Sequence, residues 1–282
     1  MKSIIKNYVK IFFYAMTKFL LRNHVGRYII DVIINAARGN IFSLDYSNVK
    51  LRFSNPNSLC HWRYETFWTK EPETLNWIDE IPEGSIFWDI GANIGLYSIY
   101  AGKQRNCSVY AFEPSFFNLE ILARNVSLND LVDKVFIIPL ALSNHKGLNK
   151  LKLTSTDWGG ALSTFGENYG WDGKLIKEVF EFQLPGIEID CLASSLNIPN
   201  PEYIKMDVDG IEHLILQGGQ SILSKVVSVL IEVNDDFQEQ AEQCYKILSN
   251  AGLILKEKKQ SDIVAGSTSG FQNSFNQIWV RP

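Results

Sequence analysis

From residue 84 onward the chain keeps one rhythm, a short apolar run followed by a stretch of helix length. "IFWDI" precedes a helical pattern over residues 94–104, "SVYAFE" precedes "SFFNLEILARNVSLN", and "KVFIIPLAL" closes the first half. The second half reads "YIKMDV", "GIEHLILQGGQSIL", "VSVLIEV" and "EQAEQCYKILSNAG", then "LILKEK" and "NQIWVRP" with no helix between them. Parallel strands need crossover connections, and strands that are apolar almost throughout are buried on both faces. The pattern therefore predicts an α/β fold with a mostly parallel seven-stranded sheet covered by helices. Its last two strands are expected to pair as an antiparallel hairpin at the sheet edge.

Composition narrows the partners. A chain of 282 residues, 46% hydrophobic, can bury one large core and a small appendage. A net charge of −4 argues against a whole-molecule footprint on nucleic acid, and no nucleic-acid partner is expected. The cysteines, Cys60, Cys107, Cys191 and Cys244, form no CxxC pair, so they suggest neither a zinc site nor a disulfide framework, and a cytoplasmic location fits. The spacing divides the chain into an N-terminal helical segment with a small cap, residues 1–83, and a main domain, residues 84–282. In the cap, "IFSLDY" and "VKLRF" read as strands joined at Ser47-Asn48, and "SLCHWRYETFW" and "ETLNWIDEI" as helices.

Residues 1–38 mix apolar side chains with Lys6, Lys10, Lys18, Arg22 and Arg27. The uncharged run between Lys10 and Lys18 is far shorter than the ~20 residues of a spanning helix. No clean apolar stretch leads to a small-residue cleavage site either. Two readings follow: helices packed on the domain, which is the expectation, or a basic amphipathic segment lying on a membrane surface.

In a sheet of this kind ligands bind beyond the carboxyl ends of the strands, near the point where strand order reverses. "FWDIGANIGLYS" places Asp89, Gly91, Asn93 and Gly95 at such an end. Counting from Gly91, Asn93 and Leu96 stand where a GxGxxG dinucleotide fingerprint requires glycine, which disfavours a pyrophosphate and with it a dinucleotide-dependent oxidoreductase. S-adenosylmethionine carries no phosphate, and asparagine enters left-handed conformations at modest cost. Glu113, closing "VYAFEP", lies 22 residues beyond Gly91, near the distance at which an acidic residue meets ribose hydroxyls. Its alternative is a solvated strand-end carboxylate.

Taken together, "FWDIGANIGLYS", "VYAFEP", "NVSLND", "PLALSNHKG", "GGALST" and "YIKMDVDGIEHLILQGG" resemble the FkbM-type family of S-adenosylmethionine-dependent methyltransferases. The resemblance covers roughly residues 84 to 255. It implies a class I methyltransferase (Rossmann-like) fold, S-adenosylmethionine as cofactor and O-methylation of a hydroxyl on a sugar, glycan or polyketide-like molecule. A non-catalytic glycan-binding subunit is the alternative from another class. The absence of an NPPY-like tetrapeptide after the fourth strand, where "DVDG" stands, disfavours N-methylation.

An alcohol is a weak nucleophile at cellular pH, so methyl transfer to it gains from a general base or a polarising metal. "KMDVDGIEHLI" offers Asp207, Asp209, Glu212 and His213 at the edge of the sheet. Asp209 is the expected base, assisted by Asp207 and Glu212. The competing reading makes Asp209 a helix cap with Glu212 completing a capping box, and His213 reads as a packed histidine. Glu232, Asn234 and Asp235 in "LIEVND" add oxygen atoms nearby, but their spacing is not diagnostic of a metal site and none is assigned.

The excursion from about residue 149 to 201 contains "LKLTSTDWGGALSTFGENYGWDG" and reads as a lid. Trp158, Tyr169 and Trp171 could stack on sugar faces there, with Ser163 and Thr164 bonding hydroxyls. In "LALSNHKG", Ala141 and Leu142 are expected against an adenine ring, and Ser143 or Asn144 at its polar edge.

Overall fold

The computed structural model describes residues 2–266 and 270–282. Two helices, α1 (Lys2–Leu20) and α2 (His24–Arg38), lead into the hairpin β1 (Ile41–Tyr46) and β2 (Val49–Ser54). The turn between these strands is Ser47-Asn48, both with positive φ, as a two-residue hairpin loop requires. Three short helices follow, α3 (Ser58–Glu65), α4 (Phe67–Lys70) and α5 (Pro72–Glu80). The main domain then begins with β3 (Ile86–Ile90), α6 (Leu96–Gln104), β4 (Ser108–Phe112), α7 (Phe116–Leu128) and β5 (Val135–Ile138). After β6 (Ala141–Leu142), β7 (Gly147–Leu153), β8 (Thr164–Phe165), β9 (Phe180–Ile187) and α8 (Ile189–Leu196), the chain returns to the sheet at β10 (Tyr203–Met206). It finishes with α9 (Glu212–Gln217), α10 (Gln220–Leu223), β11 (Ser228–Asn234), α11 (Gln238–Asn250), β12 (Ile254–Lys259), α12 (Asp262–Ala265) and β13 (Ser274–Val280).

Seven strands form the central sheet in the order β12-β13-β11-β10-β3-β4-β5. The five from β11 to β5 are parallel, and β13 runs antiparallel to both β11 and β12. Strand order reverses between β3 and β10, so the crevice expected of such sheets lies at their carboxyl ends. Side chains alternate across the sheet: Phe87 joins the hydrophobic cluster on one face and neighbouring Trp88 the cluster on the other, both fully buried. The cap shares the first of these clusters, contributing Phe53, Tyr64, Phe67, Leu75 and Trp77 beside Phe87 and Tyr100.

Two features differ from the expectation. Residues 141–187 are not an open lid but contain a second, four-stranded sheet in the order β6-β9-β7-β8. In β7 the side chains of Leu151 and Leu153 turn inward while Lys150 and Lys152 face out, the period-two pattern of a half-buried strand. The helices α1 and α2 also do not pack on the domain. They pack on each other, where a Cβ on Gly26 would stand 1.9 Å from the Leu20 carbonyl oxygen, and nearly all their described side chains are exposed. Arg38, at the end of α2, makes their one ion pair to the domain among the described residues, 2.8 Å from Glu120.

Candidate active site

At the end of β3 the backbone turns through three left-handed residues, Gly91, Asn93 and Gly95. The amides of Gly91 and Ala92 donate to the Phe112 carbonyl, which ties the turn to β4. Asn93 is fixed at three points: its amide donates to Glu113 at 2.8 Å, its side-chain oxygen accepts from Ile94, and its Nδ2 donates to the Gly160 carbonyl at 2.7 Å. The two glycines are needed for different reasons. A Cβ on Gly91 would lie 1.9 Å from the Asp207 carbonyl oxygen, so the turn crosses the end of β10 in close contact. A Cβ on Gly95 would strike Leu122 of α7 at 2.3 Å, and Gly95 lines none of the cavities described here.

One cleft opens over this turn. Gly91, Asn93, Glu113 and Asn118 line its polar side, and Leu140, Ala141, Leu142, Ile211 and Ile215 its apolar side. The Glu113 carboxylate accepts one backbone N–H on each oxygen, from Asn93 and from Ser115, both at 2.8 Å. Burial raises its pKa to about 7 against those two donors. Ser143 and Asn144 lie off the cleft, and Asn144 bonds Gln217.

Asp89 is placed differently from the sequence expectation. It is buried behind the turn, accepts a 2.5 Å hydrogen bond from Ser98 and lines none of these cavities. Its other oxygen has no hydrogen bond and lies 4.0 Å from Lys205 Nζ. Lys205 is itself buried beneath the site, 3.3 Å from Asp207 and 4.9 Å above the Tyr97 ring. Burial alone would lower the Lys205 pKa, but Asp207, Asp89 and Glu71 together raise it.

A second cavity of about 320 Å³ shares Gly91, Asn93, Asp207 and Asp209 with the first. Its remaining wall includes Arg63 and Lys70 from the cap, Glu232 from β11, and Ile263, Val264 and Phe271 from the segment between β12 and β13. Asp209 stands where the two meet, in the left-handed region at φ 62°. Its Oδ2 accepts from the Leu162 amide at 2.7 Å and from Ser163 at 3.4 Å. Asp209 therefore holds the loop that covers the cavity and does not cap α9, whose N-cap position is Ile211. Burial, with the Asp207 charge, raises the Asp209 pKa to about 6. Burial and the Asp207 charge push the Glu232 pKa well above the usual carboxylate range.

Glu212 has another task. Its carboxylate is buried and receives the amides of Val208 at 2.9 Å and Gly210 at 3.0 Å, together with the Gln240 side chain. These bonds fold the turn that presents Asp207 and Asp209, and Glu212 itself lines none of the cavities. His213 is buried edge-on against Phe237.

The family model described as "Methyltransferase FkbM domain" matches residues 89–255. The chain belongs to the FkbM methyltransferase family. Among curated relatives it is 27% identical, over 67% of its own length and 73% of the other, to "Hexuronic acid methyltransferase AglP" of Haloferax volcanii. It is 37% identical to "Methyltransferase sdnD" of Sordaria araneosa over a shorter segment, 25% of this chain and 27% of that one. The solved FkbM methyltransferase of Methylobacillus flagellatus overlays with a TM-score of 0.44 at 14% identity, covering 71% of this chain and 44% of that one. This protein is an S-adenosylmethionine-dependent methyltransferase with a Rossmann-like α/β fold. Family membership sets aside the oxidoreductase and the non-catalytic subunit.

The methyltransferase draws several site residues from outside the matched segment. Arg63 donates through Nε to the Gly159 carbonyl at 2.8 Å, and Lys70 pairs with Glu71 at 2.5 Å. Burial opposes ionisation of Glu71, but Lys70 and Lys205 outweigh it and bring its pKa down to about 2. Tyr97 donates to the same carboxylate at 2.8 Å. A run of mixed charge, "RYETFWTKEPE", was the only trace of this cluster in the sequence. The aromatic residues of the excursion are engaged elsewhere: Trp158 donates to Glu120, Tyr169 meets Phe237, and Trp171 stacks at 4.0 Å on Phe271. Ser163 lines the first cleft, whereas Thr164 is buried in β8. Trp62 and Phe271 are the aromatic residues on the second cavity wall. Asn234 and Asp235 are turned to structural partners, Asp235 lying 2.6 Å from Lys258. Among the described residues no three His, Cys, Asp or Glu side chains converge as metal ligands.

Proposed function

We propose that the enzyme methylates a hydroxyl of a sugar, glycan or polyketide-like molecule, with Asp209 as general base. The observation that carries this reading is the position of Asp209, on the wall common to both cavities and with a pKa of about 6. A base of that strength is ionised at neutral pH yet still takes a proton readily. Glu232 lines the second cavity alone and so does not share Asp209's place between the two.

The residues suit the cofactor. Glu113 accepts one backbone N–H on each oxygen and retains acceptor capacity for ribose hydroxyls, and Ala141, Leu142, Ile211 and Ile215 give an apolar slot for adenine. Across the turn, Glu71 and Asp207 supply negative charge and Arg63 and Lys70 positive charge, the two signs an amino-acid moiety requires. Bound S-adenosylmethionine supplies an electrophilic methyl group. The chain's own part is to seat the hydroxyl in the second cavity, take its proton on Asp209 and keep water out with residues 161–162.

A uronic acid is the acceptor class to try first. The relative from Haloferax volcanii is named for one, and Arg63 puts a permanent positive charge on the cavity wall. The test is transfer of labelled methyl to a panel of uronic acids, neutral sugars and polyols, followed by mild alkali. An alkali-stable methyl ether supports the hydroxyl reading. An alkali-labile ester moves the reaction to a carboxylate and removes the need for Asp209 as base.

A further inference from the structure

The N-terminal helices carry an apolar surface that the monomer leaves uncovered. On α2, Val25, Tyr28, Ile29, Val32 and Ile33 recur at helical spacing as one stripe, and Val25 and Tyr28 are 70% and 69% exposed. On α1, Phe12 and Phe19 are each 64% exposed. The hairpin is nevertheless a defined object. Asn23 caps α2 through the Gly26 amide at 2.8 Å, and Gly26 lets the two helices touch.

Charge identifies what fits this surface. Residues 1–39 hold Lys2, Lys6, Lys10, Lys18, Arg22, Arg27 and Arg38 against Asp31 alone, while the whole chain is at −4. Two copies meeting through the hairpin would bring like charges together, whereas an anionic leaflet attracts them. Apolar faces rich in Phe, Tyr and Ile beside Lys and Arg are the composition of helices that lie in the interface. No described helix is long and apolar enough to cross the membrane.

The hairpin is also joined to the catalytic region. Arg38 bonds Glu120, which accepts from the Trp158 indole at 3.1 Å, and the Arg38 guanidinium lies 6.0 Å from the Trp158 ring centroid. The chain from Trp158 leads directly into Gly160, Ala161 and Leu162 on the cavity walls. We propose that the α1–α2 hairpin docks on an anionic lipid surface and holds the active-site cleft beside it. The inference stands on the hairpin and does not depend on the acceptor assigned above.

The test is sedimentation of the full chain with vesicles of phosphatidylcholine alone or with one-third phosphatidylglycerol. The chain is expected to sediment with the anionic vesicles and to be released at high salt. The triple substitution Val25→Ser, Ile29→Ser, Ile33→Ser should weaken that binding roughly ten-fold or more, because apolar burial drives it. Cofactor affinity by calorimetry should be unchanged, which shows that the variant is folded and separates this result from the fate of the methyltransfer reading. Wild-type protein left in the supernatant with both vesicle types would overturn the proposal. So would equal binding by the triple variant, or light scattering that shows a dimer dispersed by the triple substitution in a chain that ignores vesicles.

Discussion

Asp209 combines three properties that one substitution can separate: a left-handed backbone, a bond to the covering loop and an exchangeable proton. Asparagine tolerates the backbone and keeps an acceptor oxygen for Leu162, so Asp209→Asn removes basicity alone. Turnover should fall by roughly 10² to 10⁴ with little change in cofactor affinity. At saturating S-adenosylmethionine, wild-type kcat/KM for the acceptor should rise with pH and level off above about 6, as Asp209 loses its proton. A pH profile unaltered in the variant would show that the rising limb belongs to another group. Glu113 gives a binding counterpart. Glu113→Gln should weaken S-adenosylmethionine by roughly ten- to a hundred-fold, the worth of a charge-assisted hydrogen bond. Wild-type affinity should strengthen as pH rises through about 7, because the ionised carboxylate is the better acceptor for ribose; calorimetry across that range checks both. Glu113 was visible in the sequence because strand ends and their spacing from a glycine turn are local facts. Lys205 was not, since a lysine inside "YIKMDV" gives no sign that three carboxylates await it.

At the scale of elements, the turn between β10 and α9 depends on Glu212. Glu212→Ala would leave the Val208 and Gly210 amides without their acceptor, which should cost about 2 to 6 kcal/mol at 1 to 3 for each lost partner. Chemical denaturation measures this, and a variant of wild-type stability would mean that other groups hold the turn. The same elements carry carboxylates whose pKa values are raised in the folded state: Glu113 and Glu212 to about 7 and Asp209 to about 6. The folded chain thus holds protons that the unfolded chain has released. Their stabilising effect is complete below about pH 4 and is lost as pH rises through 6 to 7. The cofactor-free enzyme should therefore melt at a lower temperature at pH 7.5 than at pH 5.5, by calorimetric scanning. Glu71, whose folded pKa is lowered, acts only below that window. The strand and helix rhythm of the central sheet was legible because each element follows its own period. The second sheet was harder: β7 alternates clearly, but β8 has two residues and β9 carries Pro185, so their pairing depends on distant chain.

For the whole molecule, the cap and the hairpin behave differently. The cap shares a hydrophobic cluster with the sheet and supplies Arg63 and Lys70, a long-range union that composition could not reveal. The hairpin touches the domain through an exposed ion pair and a ring contact, interactions of small worth. Removing residues 1–37, which spares Arg38, should shift the melting temperature by no more than about 2 °C. A larger fall would mean that the helices pack on the domain after all. The sequence showed apolar residues mixed with lysine and arginine over residues 1–38 but could not say whether protein or something else covers them.

The order in which a ribosome delivers the strands is not the order in which they pair. The strand β13 comes after β12 yet lies inside the sheet, between β12 and β11. Until it arrives, β11 presents a bare edge of backbone donors and acceptors, and β12 has no neighbour in the sheet. A message cut short anywhere before Ser274 would leave that edge open to strands of other chains. Arrival of β13, and not the emergence of the cofactor cleft, is the event that closes the sheet.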